Sequence, residues 1–319
     1  MGELELTQPV DVSVVIPVVG KVGDLGQLVA EYGDQLQQSG KSSEFIFILG
    51  PDHHALAPEI KEIQAEVGVS ITVLSLPAPF HEATALAAGF DRAAGEIILT
   101  SASFFQVTRQ AIPIVLQELE QSEVDLVVAR RYPRRGSFLN RIQAQVFHWL
   151  VRRLTGTEFH DVTCGFRAMR RSVAESLNLY GDLHRFIPII ARTHGFRVIE
   201  VNVEQHVDDR PTKLYGPAVY SRRVLDVLTV FFLVNFTRQP LRFFGLIGLG
   251  LLIVGGGITL YLGIYRLLGM GGIADRPLLL LGILLAVLGF QSISIGLLGE
   301  LIIYTHAREM RTDRIAEEL

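Results

Sequence analysis

The sequence predicts a doubly wound α/β sheet followed by an interfacial amphipathic helix and two transmembrane helices. Short apolar strands alternate with helical segments through the first 130 residues, an alternation typical of a sheet with helices on both faces. Two runs carry no charged side chain, Phe243–Tyr265 and Pro277–Gly299. Each is long enough to cross about 30 Å of hydrocarbon as a helix. The 319-residue chain therefore combines one sizeable soluble domain with a membrane hairpin.

The predicted sheet begins with five strands separated by four helices. Runs of β-branched residues mark the strands, and apolar residues at helical spacing mark the helices. The strands are expected at Val12–Pro17, Glu44–Leu49, Ser70–Leu76, Glu96–Thr100 and Val124–Ala129, and the helices at Leu25–Gln38, Pro58–Glu66, Glu82–Ala94 and Ala111–Glu120. Ligands of such sheets bind at the carboxyl ends of the strands. The segments at those ends are Pro17–Lys21, Gly50–His54, Thr100–Gln106 and Ala129–Arg135.

Further elements are predicted between the fifth strand and the membrane. A long helix is expected over Asn140–Leu154, and a loop over Asp161–Arg167 is expected to enter a helix over Arg167–Leu177. A strand at Phe196–Val203 and a polar loop at His206–Gly216 complete the soluble domain.

The last third of the chain is predicted to associate with a membrane. Val219–Phe236 is amphipathic at its start and apolar later, which favours a helix in the membrane interface. The alternative interpretation is a core helix of the soluble domain. The predicted boundaries are a soluble domain at 1–215, juxtamembrane helices at 216–241, a transmembrane hairpin at 242–305 and a tail at 306–319.

Charge patterning predicts that the soluble domain and both termini are cytoplasmic. An even number of spans returns the chain to the side on which it started. Arg308, Arg311 and Arg314 favour the cytoplasmic side for the tail. Arg266 and Arg276 flank the opposite side and reduce this asymmetry.

A series of short motifs occurs in a fixed order along the chain. They are the first strand ending at Pro17, Ala129-Arg130-Arg131, Asp161-x-x-x-Gly165-Phe166-Arg167, His206-x-x-x-Arg210 followed by Lys213-x-Tyr215-Gly216, Pro240-Leu241-Arg242, and Gly299-Glu300. With the two spans, this order resembles the membrane-anchored polyprenyl-phosphate glycosyltransferases of family 2, the dolichol-phosphate mannose synthase type. The resemblance covers nearly every residue from Val12 to Arg311.

The resemblance implies a GT-A-like doubly wound mixed sheet and a transfer reaction at the cytoplasmic leaflet. Such enzymes move a sugar from a nucleotide donor to a lipid phosphate and use Mg²⁺ or Mn²⁺. The partners implied are membrane lipid, a polyprenyl phosphate and a nucleotide sugar, and not nucleic acid. Gly248, Gly250 and Gly255–Gly257 predict assembly with a second copy or with an active relative, because small residues permit close helix approach. The alternative interpretation is that glycine is common in membrane helices.

The donor side departs from the family pattern at four places. The Asp-x-Asp that holds the cation is Ser101-Ala102-Ser103, and serine hydroxyls are poor ligands for a hard cation. The acid after the first strand is replaced by Val18–Lys21, the acid after the second strand is displaced to Asp52, and His81–Thr84 replaces a basic loop. We therefore expect no metal cofactor with this sequence. The donor-side residues by position are Pro17, Asp52, Ser101, Ser103 and Gln106.

Three interpretations remain open at this point. The first is a working transferase whose donor site has moved to Asp52, His53, His54 and Glu82, although a solvated turn is the simpler interpretation of Asp52–His54. The second is a catalytically silent relative that binds lipid phosphate or acts as a scaffold. The third is a binder of another nucleotide.

The acceptor side retains cationic residues that suit a lipid phosphate. Arginine offers a planar fork of donors to phosphate oxygens. The residues assigned by position are Arg130, Arg131, Arg141, His206, Arg210 and Lys213. A basic face that contacts anionic lipids would give the same composition. Asp161 matches a family position beside the reacting groups and is the predicted catalytic residue; the alternative is a helix cap.

Overall fold

The computed structural model describes residues 10–78, 80–134, 159–209, 240–269 and 277–306. The helices predicted at Asn140–Leu154 and Val219–Phe236 lie outside these ranges. The chain divides into two compact units, Met1–Val230 and Phe231–Leu319, and each is described by itself.

The first unit contains one mixed sheet of seven described strands, which confirms the predicted fold class. The strands are β1 Val12–Val18, β2 Ser43–Leu49, β3 Ser70–Ser75, β4 Ile97–Thr100, β5 Leu126–Arg131, β6 Arg167–Arg170 and β7 Val198–Val203. Their order across the sheet is β3-β2-β1-β4-β6-β5-β7. β6 runs antiparallel to β4 and β5, and the other neighbours are parallel.

Helices cover both faces of this sheet. They are α1 Leu25–Gln38, α2 Ala57–Val67, α3 Glu82–Arg92, α4 Ala111–Gln121, α5 Arg171–Ser176 and α6 Ile187–Thr193. One apolar core lies on the side of α1, α2 and α4, and a second lies on the side of α3, α5 and α6. Every strand and helix predicted up to residue 131 is present, with ends that differ by at most two residues.

The strand order reverses between β1 and β4, and this position is the topological switch point of the sheet. β1 pairs with β2 as far as Val18, but its pairing with β4 ends at Val15 and Thr100. Pro17 lies beyond that point and is buried in β1. Because a proline has no N–H to donate, it suits a part of the strand whose second neighbour has ended. A ligand is expected in the gap that opens there.

The prediction of a helix over Arg167–Leu177 is wrong in its first part. Arg167–Arg170 forms β6, and the helix begins at Arg171 with Arg170 as its N-cap. Antiparallel pairing with β4 and β5 overrides the local helical pattern. Asp161 therefore does not cap this helix, and its alternative interpretation fails.

The amino ends of the strands are joined by a buried polar network. The Ser13 hydroxyl donates to Glu44 Oε1 at 2.6 Å, and the Ala94 N–H donates to the same oxygen at 2.7 Å. The Gly95 N–H donates to Ser13 Oγ at 2.8 Å. A Cβ at Gly95 would lie 2.6 Å from the Ser13 nitrogen, so only glycine permits this approach. The network links β1, β2 and the start of β4 on the side opposite the switch point.

The second unit contains two long apolar helices, α7 Pro240–Leu267 and α8 Pro277–His306. Only 11% of each hydrophobic window is buried, whereas a core helix of a soluble protein would be mostly buried. Both helices are long and apolar enough to span a membrane. These are the two predicted spans.

Glycines bring α7 and α8 close together. A Cβ at Gly248 would lie 2.6 Å from the Gly289 carbonyl oxygen, and one at Gly255 would lie 2.6 Å from that of Gly282. Both α7 glycines therefore serve the hairpin itself. Gly250, Gly256 and Gly257 have open space beside them. Assembly with another chain stays a prediction.

The family motifs at the two ends of the hairpin also meet. A Cβ at Gly299 would lie 3.0 Å from Pro240 Cγ, and Glu300 Oε2 accepts a 3.5 Å hydrogen bond from the Leu241 N–H. A carboxylate at the beginning of α7 suits the positive end of the helix dipole. These motifs therefore fix the hairpin.

Candidate functional site

The loops that follow β1 and β4 are bonded to each other at the switch point. The Gly23 N–H donates to the Ser103 carbonyl at 2.8 Å, and the Ser103 hydroxyl donates to the Lys21 carbonyl at 2.9 Å. A Cβ at Gly23 would lie 2.9 Å from Phe104 Cβ, so glycine permits this close approach. Asp24 then caps α1 by accepting from the Gln27 N–H at 2.8 Å. The sequence thus fixes the loop that carries Lys21.

The two serines at the Asp-x-Asp position are hydrogen-bonded within the protein. Ser101 and Ser103 are 3% and 2% exposed. The Ser101 hydroxyl lies 3.1 Å from the Ala102 carbonyl oxygen and 3.5 Å from the Tyr32 hydroxyl. A divalent cation of the Mg²⁺ type prefers carboxylate oxygens. Neither serine supplies one, so this set of side chains does not fit such a cation.

The displaced acids and histidines do not form a replacement metal site. Asp52, His53 and His54 lie on a short 3₁₀ helix, Pro51–Leu56, where His54 Nε2 is 3.2 Å from the Leu76 carbonyl oxygen. Across the described ranges, no three His, Cys, Asp or Glu side chains converge on a point that could hold a metal ion.

The Lys21 ammonium lies between the ends of three strands. It is 4.5 Å from the centre of the Phe104 ring, beyond β4, and it donates to the Asp208 carbonyl. Asp208 belongs to a 3₁₀ helix, Val207–Asp209, which follows β7. Lysine over an aromatic face is attracted by the negative charge of the ring face. The side chain is exposed, so the ammonium is accessible to a ligand.

Further contacts hold the segment after β7 against the segment after β4. The His206 ring is 4.9 Å from the Phe105 ring, and the His206 N–H donates to the Gln106 carbonyl at 3.1 Å. Gln106 Oε1 accepts from the Gly165 N–H at 2.8 Å. Gln106 therefore joins three loops at one edge of the sheet.

Asp161 is held in a buried ion pair. Arg131 and Asp161 are 6% and 3% exposed. Arg131 Nε and Nη2 donate to the two Asp161 oxygens at 2.7 and 2.8 Å, and Nη1 donates to Asp209 Oδ2 at 2.9 Å. Nη2 also donates to the Thr163 hydroxyl at 2.8 Å. Burial alone would lower the pKa of Arg131, but the Asp161 carboxylate raises that pKa well above its usual value.

The second buried cluster lies beside the start of α3. His184 Nε2 is 3.2 Å from Glu82 Oε2, and Arg167 Nη1 donates to the His184 carbonyl at 2.9 Å. Burial, with the nearby Arg185 and Arg167 charges, lowers the pKa of His184 to about 3. Burial raises the pKa of Glu82. Glu82, whose side chain is 34% exposed, therefore contacts a histidine that is neutral at neutral pH.

Comparison with known proteins decides the family. The model of the glycosyl transferase family 2 matches residues 13–177. The dodecaprenyl-phosphate galacturonate synthase of Rhizobium johnstonii is 30% identical over 97% of this chain and 92% of its own length. The chain belongs to glycosyl transferase family 2.

Two further proteins are similar over most of the chain. The undecaprenyl-phosphate 4-deoxy-4-formamido-L-arabinose transferase of Pectobacterium carotovorum is 29% identical over 93% of this chain and 90% of its own. Glucosyl-3-phosphoglycerate synthase from Mycobacterium tuberculosis matches 70% of this chain and 79% of its own, with a TM-score of 0.48 and 13% identity. The relatives and the two apolar helices indicate a membrane protein of this family.

The structure brings only some of the predicted family 2 site residues together. Pro17, Ser101, Ser103, Gln106 and His206 lie at the switch-point edge. Three of the predicted acceptor residues, Arg141, Arg210 and Lys213, lie outside the described residues.

The described acceptor arginines have different surroundings. Arg130 is half-buried, with its guanidinium 5.4 Å from the Tyr132 ring. Arg131 donates to the three protein side chains described above, so binding a lipid phosphate would require its pair with Asp161 to open. Its role toward a phosphate stays a prediction, as does that of Arg130.

Three residues at this edge, Lys21, Thr163 and Asp209, are not among the site residues predicted from the sequence. Lys21 belongs to the segment Pro17–Lys21, for which the sequence predicts ligand contact, but the sequence assigns no role to its side chain. Asp209 and Thr163 complete the Arg131 cluster. Both lie at variable positions inside quoted motifs, Asp209 in His206-x-x-x-Arg210 and Thr163 in Asp161-x-x-x-Gly165, and those motifs are the signal that could have identified them.

Proposed function

We propose that this protein transfers a sugar from a nucleotide donor to a polyprenyl phosphate at the cytoplasmic leaflet. The supporting observation is the 30% identity to dodecaprenyl-phosphate galacturonate synthase, which extends over 97% of the chain. The matched length includes α7 and α8 as well as the sheet. A relative that shared only the sheet would not support a lipid acceptor.

The proposed donor sugar is galacturonate, attached to a nucleoside diphosphate. The relative that acts on this sugar has the higher identity of the two described, and the other transfers 4-deoxy-4-formamido-L-arabinose. The two sugars differ in charge, so a direct comparison of donors separates them.

The proposed chemistry places few demands on a general base. A phosphate monoester carries about 1.5 to 2 negative charges at neutral pH, so an acceptor oxygen is already a nucleophile. That oxygen attacks the anomeric carbon, the bond from this carbon to the donor diphosphate breaks, and the electron pair leaves with the diphosphate. The main requirement is stabilisation of the charge that develops on the leaving group.

Asp161 suits this reaction as a positioning residue. Each Asp161 carboxylate oxygen accepts a hydrogen bond from Arg131, at 2.7 and 2.8 Å, so the guanidinium holds the carboxylate in one orientation. The pair fixes the segment after β5 and, through Asp209, the segment after β7.

The test uses full-length protein in detergent with undecaprenyl phosphate as acceptor. UDP-galacturonate, UDP-4-deoxy-4-formamido-L-arabinose and UDP-glucose are supplied separately, and the lipid products are identified by mass spectrometry. We expect a lipid-linked galacturonate from the first donor. Failure of all three donors, under conditions in which the Rhizobium johnstonii relative is active, contradicts the proposal.

The replacement of the Asp-x-Asp carboxylates favours a second candidate, a catalytically silent subunit that binds lipid phosphate. In that case the protein would bind undecaprenyl phosphate without turnover and would copurify with an active family 2 relative. Membrane extracts from the source cells provide this second measurement.

The proposed topology places the soluble domain and both termini in the cytoplasm. Cysteines introduced as Gly271→Cys and Glu318→Cys test it with an impermeant maleimide on intact cells. Labelling of the first variant alone is expected, and labelling of the second alone contradicts the topology.

A further inference from the structure

We propose that the Lys21 ammonium takes the place of the divalent cation and binds the diphosphate of the nucleotide donor. This inference rests on the proposed function, since it assigns the diphosphate contact of that reaction. Ser103, which stands at the second position of the Asp-x-Asp, donates its hydroxyl to the backbone carbonyl of Lys21 at 2.9 Å. Ser103, which replaces a metal-binding aspartate, therefore anchors the loop that carries the Lys21 ammonium.

The location fits a phosphate contact. Lys21 follows β1 and Phe104 follows β4, the two strands that separate at the switch point. The bonds between Gly23 and Ser103 fix the backbone of the Lys21 loop against this second loop. Ligands of doubly wound sheets bind in the crevice at this point. An ammonium held here lies where a nucleotide is expected.

The orientation of the ammonium leaves it able to bind a ligand. A lysine ammonium has three N–H donors, and the Asp208 carbonyl accepts one of them. The Phe104 ring, 4.5 Å away, attracts the charge without supplying an oxygen acceptor. Phosphate oxygens can take the place of water on the remaining donors, as with the phosphate-binding lysine of a P-loop.

The charges also support the substitution. In the family pattern, two aspartates offset the two positive charges of the cation. Here two neutral serines stand beside one lysine, so a positive charge remains for the diphosphate. Lysine beside two aspartates would be neutralised by them. The loss of the carboxylates and the presence of Lys21 are therefore consistent with each other and with a leaving group stabilised by an amine.

The nearby acids are engaged elsewhere. Asp209 Oδ2 accepts from Arg131 at 2.9 Å, and Asp208 Oδ2 lies 3.5 Å from His206 Nδ1. In the transfer step, the bond between the sugar and the diphosphate breaks and its electron pair remains on the diphosphate oxygen. Lys21 donates a hydrogen bond to that diphosphate and keeps its proton. The step needs no metal and no oxidant or reductant.

The first test measures binding of UDP and of inorganic diphosphate to full-length protein by calorimetry in EDTA. Wild type is expected to bind UDP in EDTA, and added Mn²⁺ is expected to change the affinity by less than about twofold. Lys21→Gln should weaken both probes by about tenfold or more, the usual loss for a charge-assisted hydrogen bond. Lys21→Arg should retain more of the affinity than Lys21→Gln, because it keeps a positive charge that can donate to phosphate oxygens.

Two further variants make the test specific. Lys61→Gln removes an exposed lysine from α2 and should leave both affinities unchanged. Ser103→Asp should weaken UDP binding in EDTA by placing a carboxylate beside the Lys21 loop. Unchanged binding in Lys21→Gln, or a gain of about tenfold on adding Mn²⁺ to wild type, overturns the inference.

The experiments distinguish failure of the Lys21 site from failure of the proposed transferase activity. Formation of a lipid-linked sugar by Lys21→Gln at the wild-type rate would overturn the role of Lys21 while the transferase stands. Lys21-dependent binding of inorganic diphosphate in a protein that transfers none of the three sugars would support the site and contradict the transferase.

Discussion

The amino ends and the carboxyl ends of the same strands are held together by different contacts. At the amino ends, Glu44 binds the Ser13 hydroxyl and a backbone N–H in a buried network. At the carboxyl ends, the guanidinium of Arg131 and the ammonium of Lys21 donate hydrogen bonds in addition to the backbone and hydroxyl bonds between Gly23 and Ser103 and between Ser103 and Lys21. A cation also bonds at the first edge, where Arg171 Nη2 donates to the Gly95 carbonyl at 2.8 Å. The difference lies in accessibility, because the exposed Lys21 ammonium of the second edge lies where ligands of such sheets bind.

The largest expected effect comes from breaking the charged edge at its buried ion pair. Asp161→Ala leaves Arg131 buried with Asp209 as its remaining carboxylate and should destabilise the fold by about 3–5 kcal/mol. Thermal unfolding of the detergent-purified protein, followed by circular dichroism, measures this loss. The exposed Asp52→Ala is the matched control and should change little.

A double variant sharpens the same prediction. Arg131→Met with Asp161→Leu removes both charges and should regain part of the lost stability, because no unpaired charge is left between them. Equal losses in the single and double variants would show that packing, and not charge, holds this edge.

The hydroxyl-based edge should give a smaller effect. Ser13→Ala removes the acceptor of the Gly95 N–H and one donor to Glu44, at a cost of about 1–3 kcal/mol. UDP affinity should be unchanged, because this network is at the opposite ends of the strands. A loss of UDP binding similar to that of Lys21→Gln would show that the two edges are not independent.

The smallest expected effect is a pH dependence at the carboxyl-end edge. His184 has a folded pKa of about 3 against 6.5 unfolded, so the unfolded state binds more protons below pH 6.5. Its contribution to stability is complete above pH 6.5 and is lost as the pH falls toward 3. The loss between pH 7 and 5.5 is about 1 kcal/mol.

The pH experiment compares wild type with His184→Gln, because several groups face this histidine. Glu82, Arg167, Arg185 and His81 all influence it, and the raised pKa of Glu82 acts in the opposite direction. The difference in melting temperature between the two proteins should narrow as the pH falls from 7 to 5.5. A constant difference would exclude His184 as the source.

The sheet was predictable because each of its early strands is a short buried run followed by a helix with regular apolar spacing. Leu25, Leu28, Val29, Tyr32 and Leu36 are all buried, as their spacing in α1 predicts. β6 was missed because Arg167 and Arg170 look like surface residues. These residues form a strand because they pair with β4 and β5. The local sequence carries no information about that pairing.

The site was less predictable because its contacts join distant parts of the chain. Asp161 was singled out by position, but its two hydrogen bonds to Arg131 join residues 30 positions apart. The sequence indicated correctly that Ser101 and Ser103 cannot supply carboxylates. It did not indicate that Ser103 supports the Lys21 loop. The two residues are 82 positions apart, and a local sequence pattern does not predict a hydrogen bond over that separation.

These separations also bear on how the protein is made. The Ser13, Glu44 and Gly95 network needs only the first 95 residues, whereas the Lys21 contact joins residues 187 positions apart. During synthesis, a contact between distant residues cannot form until both residues have left the ribosome. The carboxyl-end edge is therefore completed only when Asp209 emerges, about 30 residues before α7 begins at Pro240. Completion of the carboxyl-end edge and synthesis of the first apolar helix therefore follow each other closely during translation.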